Sequence, residues 1–403
     1  MHIGVIGAGV VGLTTAAALH ERGLDVTVYE AESGPAALTS RANGGQLSYS
    51  YCHPFASAAM ARQLPALIAG RRQGTRVRPS ASSAFWFWGA RFLRECLPGR
   101  ERRNALALGE LAAAARSRAC WLREVAGDDW GYRRAGKLVL LTDAEAPQEI
   151  DDAPLDPAGR IQHLSREQAC EIEPSLASWQ SEHASALYCA TDAVGDSHRF
   201  SNQLAQRLRD KGVCVRYSSR VQHVAQNADS ATLTVICNGV SDTHRHDAIV
   251  FCAANSAPTL LPGLLPRGSL LSLTGYSVSL PIGREPPTAS ITSVADHLVI
   301  ARLDDQIRIA GFADINARPR DWPGRTAALL HRARALAPLA ADYDAADARP
   351  WVGHRPATPD SLPIVGATRA PRVFLNLGHG ALGWTLCAAT AEQAALAVTT
   401  GLR

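Results

Sequence analysis

A glycine-rich turn set between apolar segments at the start of the chain constrains the fold more than any other feature. Met1-His-Ile-Gly-Val-Ile-Gly7-Ala8-Gly9-Val10-Val11-Gly12 runs into an apolar helical pattern and then into Asp25-Val-Thr-Val-Tyr-Glu30. This spacing predicts a nucleotide-binding βαβ unit, with a strand over Ile3 to Ile6 and a helix over Val11 to Arg22. Gly7 allows the tight turn out of a buried strand, Gly9 lets the backbone approach a pyrophosphate, and Gly12 lets helix and strand pack closely. Glu30 ends the second strand, where a carboxylate accepts hydrogen bonds from a ribose 2′-OH and repels a 2′-phosphate. An unphosphorylated adenosine is therefore expected; the motif alone leaves NAD and FAD open.

The rest of the composition narrows the classes. The chain has 403 residues, 46% hydrophobic and 19% charged, enough for two domains with their own cores. Its 41 basic and 37 acidic residues are interspersed and leave a net charge of only +4, which argues against a nucleic-acid partner. No apolar run approaches the roughly 20 residues of a membrane span, and the first apolar run reads as the βαβ strand rather than a signal peptide. Nine cysteines lie scattered without C-x-x-C or metal-ligand spacing, so no disulfide framework and no metal site is expected, and a reducing cytoplasm fits. His244-Arg-His246 reads as part of a polar turn.

Further along, Ala56 to about Glu124 reads as helical and unlike dinucleotide-domain sequence, and it includes Phe85-Trp-Phe-Trp88. That aromatic run suits either a helix face buried between domains or subunits, or an anchor at a membrane interface. A strand is predicted over Gly136 to Thr142, then a helix after Ser165 with Gln168 completing a capping box. A strand over Ala186 to Ala190 follows, then a helix over Arg199 to Lys211 and a strand over Gly212 to Arg216. Ala231 to Cys237 and Ala248 to Cys252 read as a strand pair, the second apolar enough for a parallel sheet. Between Leu270 and Gly311, alternating segments predict an antiparallel wall.

Two C-terminal motifs favour a flavin. Gly378-His379-Gly380-Ala381-Leu382-Gly383-Trp384-Thr385 is a second glycine-rich turn opening a helix. A helix N-terminus carries about half a positive charge and free N–H groups, which suits the negative charge that reduction places on the N1/C2=O edge of an isoalloxazine ring. Ser40-Arg-Ala-Asn43-Gly44-Gly45-Gln46 is a small-residue loop suited to passing close to pyrophosphate and ring.

These motifs, with Gly275-Tyr276-Ser277 and Arg355-Pro-Ala-Thr-Pro-Asp360, together resemble the FAD-dependent D-amino acid dehydrogenases of the wider D-amino acid oxidase and glycine oxidase group. The resemblance covers nearly the whole chain and is weakest over Ala56 to Ser82 and Pro281 to Leu336. It implies an α/β fold: a discontinuous Rossmann-like FAD-binding domain (1–55, 143–260 and 345–403) with a second α+β substrate domain on an antiparallel sheet (56–142 and 261–344). It implies oxidative deamination of D-amino acids to 2-oxo acids and ammonia, hydride passing from Cα to flavin N5. Electrons would then leave to an acceptor other than oxygen, such as a membrane quinone, with peripheral membrane contact a corollary. The expected FAD contacts are Gly7, Ala8, Gly9, Val10, Val11, Gly12, Glu30, Ala31, Ser40, Asn43, Gly44, Gly45, Gln46, Val221, Gly380, Ala381, Leu382, Gly383, Trp384 and Thr385.

Arg355 is the expected carboxylate clamp, because a guanidinium fork fixes a planar carboxylate with two bonds. Tyr276 is expected to offer a hydroxyl to substrate or ring edge, and Tyr51 and His53 to line the pocket; His379 is given no proton-transfer role. Two positions depart from the family: Thr274 stands where Lys is frequent, and His354 precedes the clamp where an apolar residue is usual, which suggests a polar substrate such as a D-hydroxyproline. The other readings are an amine or imino-acid flavin oxidase and, outside enzymes, an NAD-binding regulatory protein.

Overall fold

The computed structural model describes residues 1–71, 74–141, 161–176, 179 and 185–402. Two large sheets organise them. The first has six strands, in the order Ile364–Ala367, Val373–Leu377, Ala248–Phe251, His2–Ile6, Asp25–Tyr29, Cys214–Arg216. His2–Ile6 lies between Ala248–Phe251 and Asp25–Tyr29 and is parallel to both. Its neighbours are apolar on both faces, as a parallel sheet covered on both sides requires. The helix Val10–His20 and the closing helix Gly383–Gly401 cover one face, packing through Leu13, Ala16 and Ala17 against Leu386, Ala388 and Ala391. Asn376 crosses between them, its side-chain amide donating to Thr15 Oγ1 at 2.9 Å.

The second sheet has eight strands, in the order Arg349–Ala357, Leu271–Pro281, Gln306–Ile315, Leu298–Leu303, Ser290–Ser293, Lys137–Leu141, Ser185–Cys189, Ile161–Ser165. Every pairing is antiparallel except that of Ser290–Ser293 with Lys137–Leu141. Strand alternation splits Leu271–Pro281 cleanly. Tyr276, Val278 and Leu280 pack in a cluster with Leu329, Ala333 and Leu336 of the helix Trp322–Leu336. Gly275, Ser277 and Ser279 face the other way, toward the first sheet's domain.

Sheet membership departs from the expected segment boundaries. Ile161–Ser165, Ser185–Cys189 and Arg349–Ala357 belong to the eight-stranded sheet, not to the dinucleotide side. Conversely, the helices Pro98–Ser117 and Ala119–Ala126 pack with Leu108, Ala112, Trp121, Leu122 and Val125 in the same cluster as Leu13 and Leu386. The cause is ordinary: a strand's pattern shows that it is half buried but not which sheet it pairs with, and the apolar closing helix needs cover on the side away from its own sheet. The acidic segment after Leu141 lies outside the described residues.

Two smaller expectations also change. Ala231–Cys237 does not pair with Ala248–Phe251; it is the middle of a meander between Ser219–Gln226 and Val240–His246. The polar stretch read as a turn is thus a strand, and His246 is buried, its ring accepting or donating at 3.0 Å to Tyr29 Oη. Among the described residues no cluster suited to a metal ion occurs, at His244 and His246 or elsewhere. The capping box at Ser165 forms, and Asp196 caps the helix Ser197–Asp210 by accepting from the amides of His198 and Arg199.

Burial holds the rings of His53, His246 and His379 at pKa values of about 4, against the ordinary 6.5. Below pH 6.5 the unfolded chain protonates these rings while the folded chain does not, so stability falls as pH drops from 6.5 toward 4. Each ring contributes up to about 1.4 kcal/mol per pH unit, less where water reaches it. Urea denaturation at pH 7.5 and at pH 5 should show a clearly earlier midpoint at the lower pH; equal midpoints would refute the buried neutral histidines.

Candidate functional site

A cleft begins at the turn between the first strand and helix and ends at the turn that opens the closing helix. At its first end the glycines are mechanically required. A Cβ on Gly12 would fall 1.9 Å from the Gly7 carbonyl oxygen, and Gly7 itself sits at φ +104°, a left-handed region that favours glycine. Glu30 is held over this turn: its carboxylate accepts from the Ala8 amide at 2.7 Å and from the Glu32 amide at 2.9 Å. Ala31 and Val221 lie in the wall beside it, an arrangement suited to an adenosine. Ser40 approaches the helix N-terminus and accepts from the Val10 amide at 3.2 Å. That amide and its neighbours form a cradle for a pyrophosphate.

At the other end Gly380, Ala381, Gly383 and Trp384 line the cleft, with Gly378 and Gly380 at φ +83° and +54°. Trp384 is fixed by its indole N–H, which donates to the Gly195 carbonyl at 3.1 Å. His379 points away, its ring nitrogen Nε2 3.0 Å from Thr390 Oγ1, and stays neutral. The N-terminus of Gly383–Gly401 is thereby aimed at the cleft, where its dipole stabilises negative charge.

The side wall is the far face of the eight-stranded sheet. Arg355 lies across Gly275, where any Cβ would come within 2.3 Å of its Nη2, so the glycine makes room for the guanidinium. Its Nη1 donates to the Phe312 carbonyl at 3.1 Å. Among the described residues no carboxylate pairs with it; Asp360, at the end of the same motif, accepts instead from the Leu362 amide. Burial pulls the Arg355 pKa down, which marks a cation short of a counter-charge.

The other expected side chains lie elsewhere. Tyr276 is fully buried on the opposite face, its hydroxyl donating to Asp314 Oδ2 at 3.1 Å beside the Arg325–Asp314 ion pair of 2.6 Å. Tyr276 is among the residues lining the cleft, yet its hydroxyl, expected to face a substrate, is bonded to Asp314. His354 likewise turns from Arg355, its ring 5.9 Å from that of Trp322, and the motive for a hydroxylated substrate goes with it. Tyr51 packs with Val139, Leu141 and Leu187, and its ring meets that of His53 at 4.2 Å between centres, tilted by 56°. Neither residue lines the cleft; both sit over Lys137–Leu141, four strands along from Leu271–Pro281.

The segment from Thr39 to Gln46 explains this spread. It crosses the sheet face strand by strand. Ser277 Oγ donates to the Ala42 carbonyl at 2.7 Å, and Arg308 donates to that of Asn43 at 2.9 Å. A Cβ on Gly44 would meet Val299 at 2.8 Å, one on Gly45 would meet Leu303 at 2.9 Å, and Gln46 donates to Thr292 Oγ1 at 3.2 Å. Ser40 and Asn43 line the cleft, whereas Gly44, Gly45 and Gln46 are required by close packing on the sheet. Ala8, Leu382 and Thr385 stand just behind the wall; Thr385 Oγ1 accepts from the Ser48 amide. Arg308 was not legible in sequence. It is one arginine among many, and only burial against Asn43, Ser279 and Asp196 distinguishes it.

Comparison with known proteins gives a consistent result. The family model described as "FAD dependent oxidoreductase" (DAO) matches residues 2–396. Curated relatives include "D-amino acid dehydrogenase 2" of Pseudomonas aeruginosa, 37% identical over 387 residues (95% of this chain, 91% of that one), and its namesake in Ralstonia nicotianae, 36% identical over 414 residues (97% and 95%). Glycine oxidase from Geobacillus kaustophilus has a similar fold, with TM-score 0.71 and 21% identity over 99% of this chain and 94% of that one. L-proline dehydrogenase from P. horikoshii does also, with TM-score 0.67 and 18% identity over 99% and 93%.

The placement of Tyr276 gives a direct test. Tyr276→Phe removes a hydrogen bond to a buried carboxylate and should cost about 1.5–3 kcal/mol in urea unfolding, with KM for substrate unchanged. A raised KM at full stability would return the hydroxyl to the site.

Proposed function

The chain belongs to the DAO family of FAD-dependent oxidoreductases, and from that premise we propose that it deaminates D-amino acids oxidatively to 2-oxo acids and ammonia. The observation that carries the reading is Arg355, a cation without a counter-charge set over Gly275 in the wall of the dinucleotide cleft. FAD, bound between Gly7–Gly12 and the N-terminus of Gly383–Gly401, supplies the acceptor for the substrate's Cα hydride. The protein's part is positional. Arg355 takes the carboxylate in a two-bond fork and so fixes the α-carbon; positioning of this kind supplies much of the rate. The closed cleft favours the neutral amine, the form from which hydride departs. No protein acid or base is needed, in keeping with a buried neutral His379. The D-amino acid dehydrogenase names of the curated relatives support the substrate class.

Anaerobic addition of D- and L-amino acids to the yellow protein tests this: D-alanine or another D-amino acid should bleach the flavin band, and bleaching by the L-series alone would sink the reading. Arg355→Ala should lower kcat/KM by about 2–5 kcal/mol of transition-state stabilisation, with Arg355→Lys recovering only part because an ammonium is a point charge. Wild-type kinetics in Arg355→Ala would remove this residue from the site.

The reading includes a quinone acceptor and contact with a membrane surface. No described helix is long and apolar enough to cross a membrane. The helix Ser83–Glu95 instead turns Trp88 and Phe92 inward, with Trp88 donating to the Ala357 carbonyl, and leaves Trp86, Phe87 and Leu93 exposed at 59%, 49% and 49%. Arg91 and Arg94 share the helix, and the exposed aromatic and basic side chains suit an anionic lipid interface. Trp86→Ser/Phe87→Ser should abolish pelleting with anionic liposomes; equal recovery in wild type and variant would end the idea. Peroxide formed stoichiometrically with substrate would mark an oxidase in place of a dehydrogenase.

A further inference from the structure

Beside the flavin cleft lies a second cavity, of about 430 Å³, between the edge strand Arg349–Ala357 and residues 255–272. The two cavities share Leu38, Thr39, Asn255 and Gly353 as walls. Its volume is that of a small-molecule pocket, for which roughly 300–1,000 Å³ is usual. The lining is largely apolar, with Leu270, Leu271 and Pro258 prominent. Trp351 contributes an indole, and its Nε1 is buried without a hydrogen-bond partner. A buried donor left unmade is costly, and most such groups find an acceptor. The Trp351 Nε1 lies 4.0 Å from where a Gly353 Cβ would sit, so the orphan N–H stands next to the wall common to both cavities. The Arg41 guanidinium lies 5.0 Å from the centre of the Trp351 ring.

We infer that this cavity docks the ring of the electron acceptor, a quinone, edge-on to the flavin cleft. The inference rests on the quinone reading above and assigns it a place. A quinone ring is flat and apolar, as the walls are, and presents carbonyl oxygens, the acceptors that the Trp351 N–H lacks. The Arg41 guanidinium, over the Trp351 ring, adds positive charge beside this wall. Bound FAD, once reduced, would supply two electrons and one proton, and water the second proton, so that both quinone carbonyls would become hydroxyls and the ring would leave as the diol. Access also fits. The helix Ser83–Glu95 is pinned by Trp88 to Ala357, on the strand that carries Trp351, and packs against Leu271 of the cavity wall. A lipid-borne acceptor thus meets the exposed aromatic face and the cavity on one side of the molecule.

The test is equilibrium dialysis of the oxidised holoprotein against a short-chain ubiquinone analogue. Wild type should bind it saturably, and Trp351→Phe should bind it roughly five-fold more weakly, the loss of one hydrogen bond in a desolvated site. Ser272→Phe, which fills the cavity from the neighbouring strand, should abolish binding. In stopped flow, reoxidation by the quinone should slow in both variants relative to reoxidation by ferricenium, which needs no pocket. Equal quinone affinity in wild type and both variants would overturn the site, as would equal slowing with both oxidants. Failure of D-amino acids to bleach the flavin would sink the substrate reading alone, since dialysis needs no substrate.

Discussion

The molecule depends on a seam. Eight residues, from Thr39 to Gln46, lie across the face of the eight-stranded sheet and hold it against the dinucleotide unit. At the centre of that seam the buried Arg308 reaches Ser279 on its own sheet, the Asn43 carbonyl on the crossing segment, and Asp196, the residue that caps a helix of the first layer. A guanidinium taken out of water this fully is tolerated only when its donors and its charge are all met, and removing one partner of such a pair typically costs about 3–5 kcal/mol. The seam therefore has one geometry. Because the cleft is the gap left between the two layers, its shape follows from the same contacts.

Against that background the arginines can be compared by how their charge is met. Arg308 has Asp196 and Arg325 has Asp314, each pair nearly free of solvent. Arg355 has a single carbonyl, from Phe312. Burial pushes each guanidinium pKa below its ordinary value, yet among the described residues only the first two are compensated by a carboxylate. A guanidinium left in this state suits an anionic ligand, and it is on this that the proposed clamp rests. Trp351 presents the same logic in neutral form: a buried N–H without an acceptor, in a wall shared with the cleft. Charge and hydrogen-bonding capacity is thus unmet at two adjacent points among the described residues.

The opening βαβ unit was legible because its glycines answer to short-range sterics: Gly12 against the Gly7 carbonyl is a contact five residues apart. Arg355 was singled out in sequence because a guanidinium fork suits a planar carboxylate and because of the family resemblance; the structure places it within the strand Arg349–Ala357, across Gly275. Tyr276 and His354 were misplaced for a reason the sequence also holds, since each is adjacent to a cleft-facing residue and must therefore face away. The glycines of Asn43-Gly44-Gly45 were correctly read as sites of close approach, but what approaches Gly44 and Gly45 is Val299 and Leu303, more than 250 residues distant.

The sequence by itself determined the local geometry: the tight turn at Gly7, the apolar strand and helix on either side of it, the second glycine-rich turn that opens the closing helix, and the capping box at Ser165. Tertiary structure alone decided which sheet received Ile161–Ser165, Ser185–Cys189 and Arg349–Ala357, which face of Leu271–Pro281 looks at the cleft, and which buried polar groups remain unpaired. The division is physical. Local sterics and periodicity act over a few residues and are written in the order of the chain, whereas strand partners, burial and charge compensation are fixed by groups far apart in sequence that meet only once the layers have closed.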